Sequence, residues 1–180
     1  AETHAQARDA AERIDVDYSP LEPIIDTDVA SSETAPVIWP DHGTNVGIDA
    51  DVNDPAETVR LLRGADHVIS LKTRLTRVSG VAMEPRSSLG EYDAEGRYTL
   101  QTTAGSIYRY KRELAQLLCE DEENVRIVIR DAGGSYGPRN ALYVEHALVL
   151  WASKRLGRPV KWTSDRTESM LTDYQARDLV

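Results

Sequence analysis

Residues 125–140 read VRIVIRDAGGSYGPRN, and they constrain this chain more than any other stretch. A run rich in β-branched residues, Val125 to Ile129, leads through Arg130 and Asp131 into Gly133, Gly134, Ser135, Tyr136 and Gly137. A long amphipathic segment starts after Pro138. Strand, glycine loop and helix in that order let backbone N–H groups approach a ligand closely. Whatever chemistry the chain carries is expected here.

Taken alone, the loop admits several ligands. GGSYG matches G-x-S-x-G, the nucleophile elbow of serine hydrolases, which demands an acid and then a histidine further along. The only histidine after Ser135 is His146, eleven residues on and inside the helix that leaves the loop. A hydrolase would therefore need a histidine beyond Val180. The spacing is G-G-x-x-G rather than the dinucleotide G-x-G-x-x-G, and the Lys-Ser/Thr pair of a phosphate loop is missing. His4, His42, His67 and His146 are scattered, and none has zinc-ligand spacing with another histidine or with Cys119. Each reads as a surface or core residue. The carboxylates fall mostly on polar faces, where solvation is the default.

Charge and cysteine usage exclude further classes. Thirty acidic residues against 21 basic ones give a net charge of −9, the wrong sign for sequence-independent nucleic-acid binding. No apolar run approaches the length of a membrane span, and the first residues do not form a signal peptide. A lone Cys119 excludes an internal disulfide framework and fits a reducing, cytoplasmic setting. Its place at a helix end suggests a buried structural thiol.

Patterning predicts a helix over Glu2–Arg13 and strands at Ile14–Tyr18, Asn45–Val52 and Asp66–Val78. Four prolines mark 19–45 as an extended connection. Asp54, Pro55 and Glu57 predict a capped helix with a capping box, stopped by Gly64. A hairpin is expected around Ala94-Glu95-Gly96, flanked by strands over Gly90–Asp93 and Arg97–Thr103. Ser106–Cys119 predicts a helix with Ile107, Tyr110, Leu114, Leu117 and Leu118 on its buried face. In 141–156 the expected stripe is Val144, Ala147, Leu148, Trp151 and Ala152. A short strand over Pro159–Thr163 and a helical turn started by Asp165 follow. Mixed elements with a hairpin give an α+β fold with a mixed, partly antiparallel sheet. The chain opens on a helical pattern without Met and stops at Val180 without a polar tail, so both ends look cut.

Three ordered blocks carry a resemblance. Met83-Glu84-Pro85-Arg86 with Leu89-Gly90-Glu91-Tyr92-Asp93 resembles the MEPR…GEYD segment of molybdenum hydroxylase large subunits, the xanthine dehydrogenase, aldehyde oxidase and aerobic carbon monoxide dehydrogenase family. Gly133 to Arg139 is similar to that family's GGGFG signature. Leu156 to Trp162, Asp165 to Glu168 and Ala176-Arg177-Asp178 resemble its LGRPVKW…DR.E……RD segment.

The resemblance implies an internal piece of a longer subunit. Residues 1–26 would end a preceding α/β domain, 27–44 would be a linker, and 45–180 the N-terminal part of a molybdopterin-binding domain. Gly133, Gly134, Ser135, Tyr136 and Gly137 would bind the molybdopterin-type molybdenum cofactor, with Tyr136 beside the metal. Asn140, where relatives often carry Glu, and Arg177 would face a small-molecule substrate. Tyr136 packing the core and Arg177 serving as a surface ion-pair partner are the plainer alternatives. The catalytic base would lie in a later domain, so no catalytic residue is expected in this chain. Iron–sulfur clusters and FAD would sit on partner modules. Gly105 stands nearest the place where many members carry a metal-side glutamine, so that contact is lost. The isolated chain is expected to be inactive. The competing reading is a cofactor-free scaffold or assembly module of the same fold, which a stop codon after Val180 would favour.

Overall fold

In the computed structural model residues 1–178 are described; Leu179 and Val180 lie outside the described residues, and with them the end of the expected 45–180 segment. The Cα packing separates Ala1–Leu71 from Lys72–Val180.

Within the first unit, local capping does most of the ordering. Helix α1 spans His4–Ala11; the Thr3 side chain accepts the Gln6 N–H while the Gln6 side chain accepts the Thr3 N–H. Helix α2 (Thr27–Ala30) is capped by Asp26. The expected extended connection is drawn together by Asn45, whose carboxamide donates to the carbonyls of Ala30 at 3.1 Å and Pro36 at 3.0 Å and accepts the Ile38 N–H at 2.8 Å. Helix α3 (Pro55–Arg63) is capped by Asp54, which accepts the Glu57 N–H at 3.0 Å. The Glu57 carboxylate does not close a capping box; it turns to Arg60 at 2.6 Å.

The strands expected at 14–18 and 45–52 do not form, and of 66–78 only Val78 lies in a strand. Alternation marks a half-buried strand only where a neighbour supplies the ladder and a covering layer. Here Val16, Tyr18, Ile48, Val52, Ile69 and Leu71 are all exposed.

The second unit is built on strands β1 (Val78–Ser79), β2 (Ser87–Tyr92), β3 (Tyr98–Thr102), β4 (Val125–Val128), β5 (Val160–Thr163) and β6 (Gln175–Ala176). β2 to β5 form one sheet in the order β4-β3-β2-β5, while β1 and β6 pair separately as a two-stranded ribbon. β2 runs antiparallel to β3 and β5, and β3 runs parallel to β4 through the crossover helix α4 (Ile107–Leu118). Helices α5 (Val144–Leu156) and α6 (Arg166–Thr172) flank β5. This is the mixed α+β fold expected.

The β2–β3 turn closes because the Asp93 carboxylate accepts the N–H groups of Glu95 at 3.1 Å and Arg97 at 2.9 Å. The core beneath the sheet holds Tyr98, Leu100, Tyr110, Leu114, Val125, Ile127, Val149 and Leu150. Helix α5 lies directly on Gly90, where a Cβ would stand 2.6 Å from the main-chain carbon of Val149.

Both helical faces differ from expectation. On α4 the buried residues are Tyr110, Leu114 and Ala115, whereas Ile107 and Leu117 are exposed. On α5 the expected stripe is split: Val144, Leu148 and Trp151 are each more than half exposed, Ala147 packs against the core, and Glu145, His146, Val149, Leu150 and Ser153 face inward. A helix apolar on several sides gives no unique inner face by pattern, and polar partners decide it. Cys119 ends α4 in a left-handed conformation, φ +55°, with its thiol exposed rather than buried.

Candidate functional site

The loop that follows β4 has an unusual backbone. Gly134 and Gly137 have φ of +113° and +101°, and Tyr136, with a full side chain between them, sits at +51°. A tyrosine in the left-handed region costs about 1–2 kcal/mol, so the surroundings must hold it there. Among the described residues the N–H groups of Gly134, Ser135, Tyr136 and Gly137 make no hydrogen bond. Four consecutive unpaired donors in such a turn form a concavity suited to anionic oxygens. Tyr136 is 72% exposed, which removes the alternative that it packs the core.

The loop is held from beneath by the segment 82–86. Gly133 donates its N–H to Glu84 Oε2 at 2.7 Å, and Thr103 Oγ1 donates to the same oxygen at 2.9 Å. Gly133 is thus engaged inside the protein, and the free donors begin at Gly134. Arg139 donates to the Glu84 carbonyl, and its own carbonyl accepts the Gly105 N–H at 2.7 Å and the Tyr110 hydroxyl at 2.9 Å. Burial pushes the Tyr110 phenol well above its ordinary pKa, so it stays a donor. Arg139 is only 3% exposed, forms no ion pair among the described residues, and leaves its Nε without a partner. A buried cation without a counter-charge is costly.

Further down, Arg86 is buried against Glu145 at 2.7 Å and Asp173, donates to Thr172 Oγ1 at 2.8 Å, and lies 3.9 Å from the Tyr143 ring centre. These partners turn the Glu145 face of α5 inward. Arg166 donates to the carbonyls of Ala82 and Met83, at 2.7 Å each. The three sequence blocks that carry the resemblance therefore interlock around one segment.

His146 cannot serve Ser135 as a base. Its Nδ1 accepts the Tyr143 N–H at 3.0 Å, leaving Nε2 to face Thr102 Oγ1 at 3.4 Å. Burial, with the charges of Arg86 and Arg139, lowers its pKa to about 4. The serine-nucleophile reading ends there for this chain's own residues.

Asn140 lies against Gly105, so closely that a Cβ at 105 would fall 1.7 Å from Asn140 Oδ1. Gly80, just past β1, abuts the Tyr136 Cβ and Pro138 in the same way, its built Cβ standing 3.1 Å from each. Tyr136, Asn140, Gly105 and Gly80 thus share one end of the unit. Arg177 is not brought into that contact. Val78 pairs with Ala176 at the end of the ribbon, and Arg177 leaves it with a left-handed backbone, φ +74°. Arg177 is exposed and makes no ion pair among the described residues, while its neighbour Asp178 accepts from Arg77 at 2.8 Å. Sequence reasoning missed Glu84, Arg139 and Thr103 as the supports of the loop. The one available signal was a charged pair around a proline, Glu84-Pro85-Arg86, inside a motif block. Among the described residues no group of three or more His, Cys, Asp or Glu could hold a metal ion.

The sequence profile of the molybdopterin cofactor-binding domain matches residues 40–180. The chain is 33% identical over 175 residues to subunit gamma of the 6-hydroxypseudooxynicotine dehydrogenase complex of Paenarthrobacter nicotinovorans, across 97% of this chain and 22% of that protein. The nicotine 6-hydroxylase large subunit of the same organism is 32% identical over 181 residues, covering 99% of this chain and 22% of the relative. Among solved structures, reconstituted CO dehydrogenase from Oligotropha carboxidovorans matches with a TM-score of 0.83 at 26% identity, over 97% of this chain and 23% of that one. The chain spans about a fifth of the length of these relatives.

Proposed function

The chain belongs to the molybdopterin cofactor-binding domain family, and on that premise we propose that it forms one wall of the cofactor site in the large subunit of a molybdenum hydroxylase. The observation that carries this reading is the row of unpaired N–H groups at Gly134–Gly137. Four donors with the buried, unpartnered Nε of Arg139 close by fit a group that presents anionic oxygens. When bound, such a cofactor supplies hydroxylation of an electron-poor carbon with oxygen from water, and the protein's part is binding, orientation and electrostatics.

In this reading the loop N–H groups orient the anionic oxygens, and the exposed Tyr136 ring forms the wall beside the metal. Asn140 presents a neutral donor and acceptor to a small substrate, held at its rim by the absence of a side chain at Gly105. Arg177 offers a planar fork of donors from just past the ribbon. Residues 1–26 end a preceding domain, 27–44 link, and 45–180 begin the cofactor domain. Iron–sulfur and flavin modules of a cytoplasmic complex take the electrons onward. Two of the relatives are a complex subunit and a large subunit, in keeping with such an assembly. Among the described residues no helix is long and apolar enough to cross a membrane.

Metal analysis and pterin fluorescence after oxidation test the proposal. The purified 180-residue chain should hold no stoichiometric molybdenum or pterin, because the other walls lie elsewhere. The subunit that carries this segment should hold one of each. Stoichiometric cofactor on the isolated chain would show that no other walls are needed; a subunit lacking it would end the reading.

A further inference from the structure

Among the described residues no hydrogen bond within 134–137 holds the loop, where only the Tyr136 ring lies against Gly134, so its conformation needs support from elsewhere in the fold. Its four N–H groups are unpaired, and one tyrosine sits in the left-handed region. Both ends of the loop reach the same residue. At the start, Gly133 places its N–H 2.7 Å from Glu84 Oε2, and Glu84 N–H points back at the Gly133 carbonyl at 3.5 Å. At the finish, Arg139 donates to the Glu84 main-chain carbonyl. The carboxylate is itself oriented by Thr103 Oγ1 at 2.9 Å, and the turn that follows Thr103 is tied to the loop by Gly105 N–H on the Arg139 carbonyl at 2.7 Å. The fit at the start is close enough to demand glycine: a Cβ on residue 133 would stand 2.4 Å from Glu84 Cβ.

We propose that Glu84 is the positioning residue of the glycine loop, fixing Gly133 through its side chain and Arg139 through its main chain so that the N–H groups between them stay unpaired and outward. The proposal rests on the cofactor-site reading for the purpose of the loop, though not for its geometry. A carboxylate suits the task because one oxygen accepts two hydrogen bonds, each strengthened by its charge. It withdraws the Gly133 N–H from the ligand side, so the ligand meets donors 134–137 only. Arg139 is held by the carbonyl of the same residue, which keeps its positive charge beneath the loop.

The test uses the 180-residue chain labelled with 15N-glycine, whose 11 glycines give one amide signal each. Glu84→Ala should speed amide exchange at Gly133 about tenfold or more, the scale of a lost charge-assisted hydrogen bond. It should also move the Gly134 and Gly137 signals, leaving Gly96 and Gly157 in place. Glu84→Gln, which retains an acceptor, should restore Gly134 and Gly137 to their wild-type positions and leave Gly133 exchange only a few-fold faster. Gly133 exchange unchanged in Glu84→Ala would overturn the proposal. Should that variant fail to fold, unchanged Gly133 exchange in both Glu84→Gln and Thr103→Val would overturn it equally. A parallel titration with molybdate separates the two claims. Wild-type Gly134 and Gly137 signals that ignore molybdate count against the oxyanion reading of the loop, while the exchange data judge Glu84 independently.

Discussion

Acidification below pH 6.5 should weaken this chain through a single buried side chain. His146 is 2% exposed, its Nδ1 is occupied by the Tyr143 N–H, and it lies near two buried arginines. Burial first, and then the charges of Arg86 and Arg139, take its pKa from the ordinary 6.5 to about 4. Because the folded value is the lower one, the unfolded chain binds the proton more readily between pH 4 and 6.5. Stability therefore falls as the pH drops through that window, by about 2 kcal/mol at pH 5 and about 3 kcal/mol below pH 4. The assay is urea unfolding followed by tryptophan fluorescence, for which Trp162 beside the core is a reporter. His146→Gln removes the titrating group while keeping a polar side chain of similar reach. The wild type should lose about 2 kcal/mol more than the variant between pH 7 and 5. Curves that stay parallel to within about 0.5 kcal/mol over that range would refute the assignment, since a ring protonated in the folded state without penalty is incompatible with this burial.

Three further outcomes follow from the packing. Gly90→Ala would drive a methyl group into the main chain of α5, which cannot yield like a side chain, and should cost about 3 kcal/mol in urea midpoint analysis; a loss below about 1 kcal/mol would show that α5 can shift. Gly105→Ala meets the movable tip of Asn140 first, with the Asn140 Cα 3.3 Å away behind it, so it should cost about 1 kcal/mol while displacing the Asn140 side-chain amide signal in the NMR spectrum. Tyr136→Gly should stabilise the isolated chain by up to about 1 kcal/mol by relieving the left-handed backbone, and the same change in the full subunit should weaken cofactor retention; a destabilised isolated chain would mean that the exposed ring packs more than its exposure indicates.

Where a signal depends on near neighbours in the chain, the sequence carried it. The Asp54 and Asp165 caps and the turn of the β2–β3 hairpin rest on contacts a few residues apart. Each was legible from spacing alone. Strand patterning failed at 14–18, at 45–52 and, in the strand expected over 66–78, at every residue before Val78, for the converse reason. Alternation states a preference for a half-buried sheet, but the ladder and cover must come from elsewhere, and within the described residues these segments have neither beyond a single bridge at Leu75.

The sequence by itself determined that a strand would run into a glycine loop, that the loop could approach an anionic ligand, and which family its motif blocks resemble. Tertiary structure decided what holds that loop and which donors it leaves free. Glu84 and Gly133 are 49 residues apart, and Arg86 and Glu145 are 59 apart. No periodicity or propensity links such pairs. The inward turn of Glu145 and His146 on α5 was settled in the same way, because the buried guanidinium of Arg86 takes Glu145 and Asp173 as its carboxylate partners, which overrides the apolar stripe that the pattern favours.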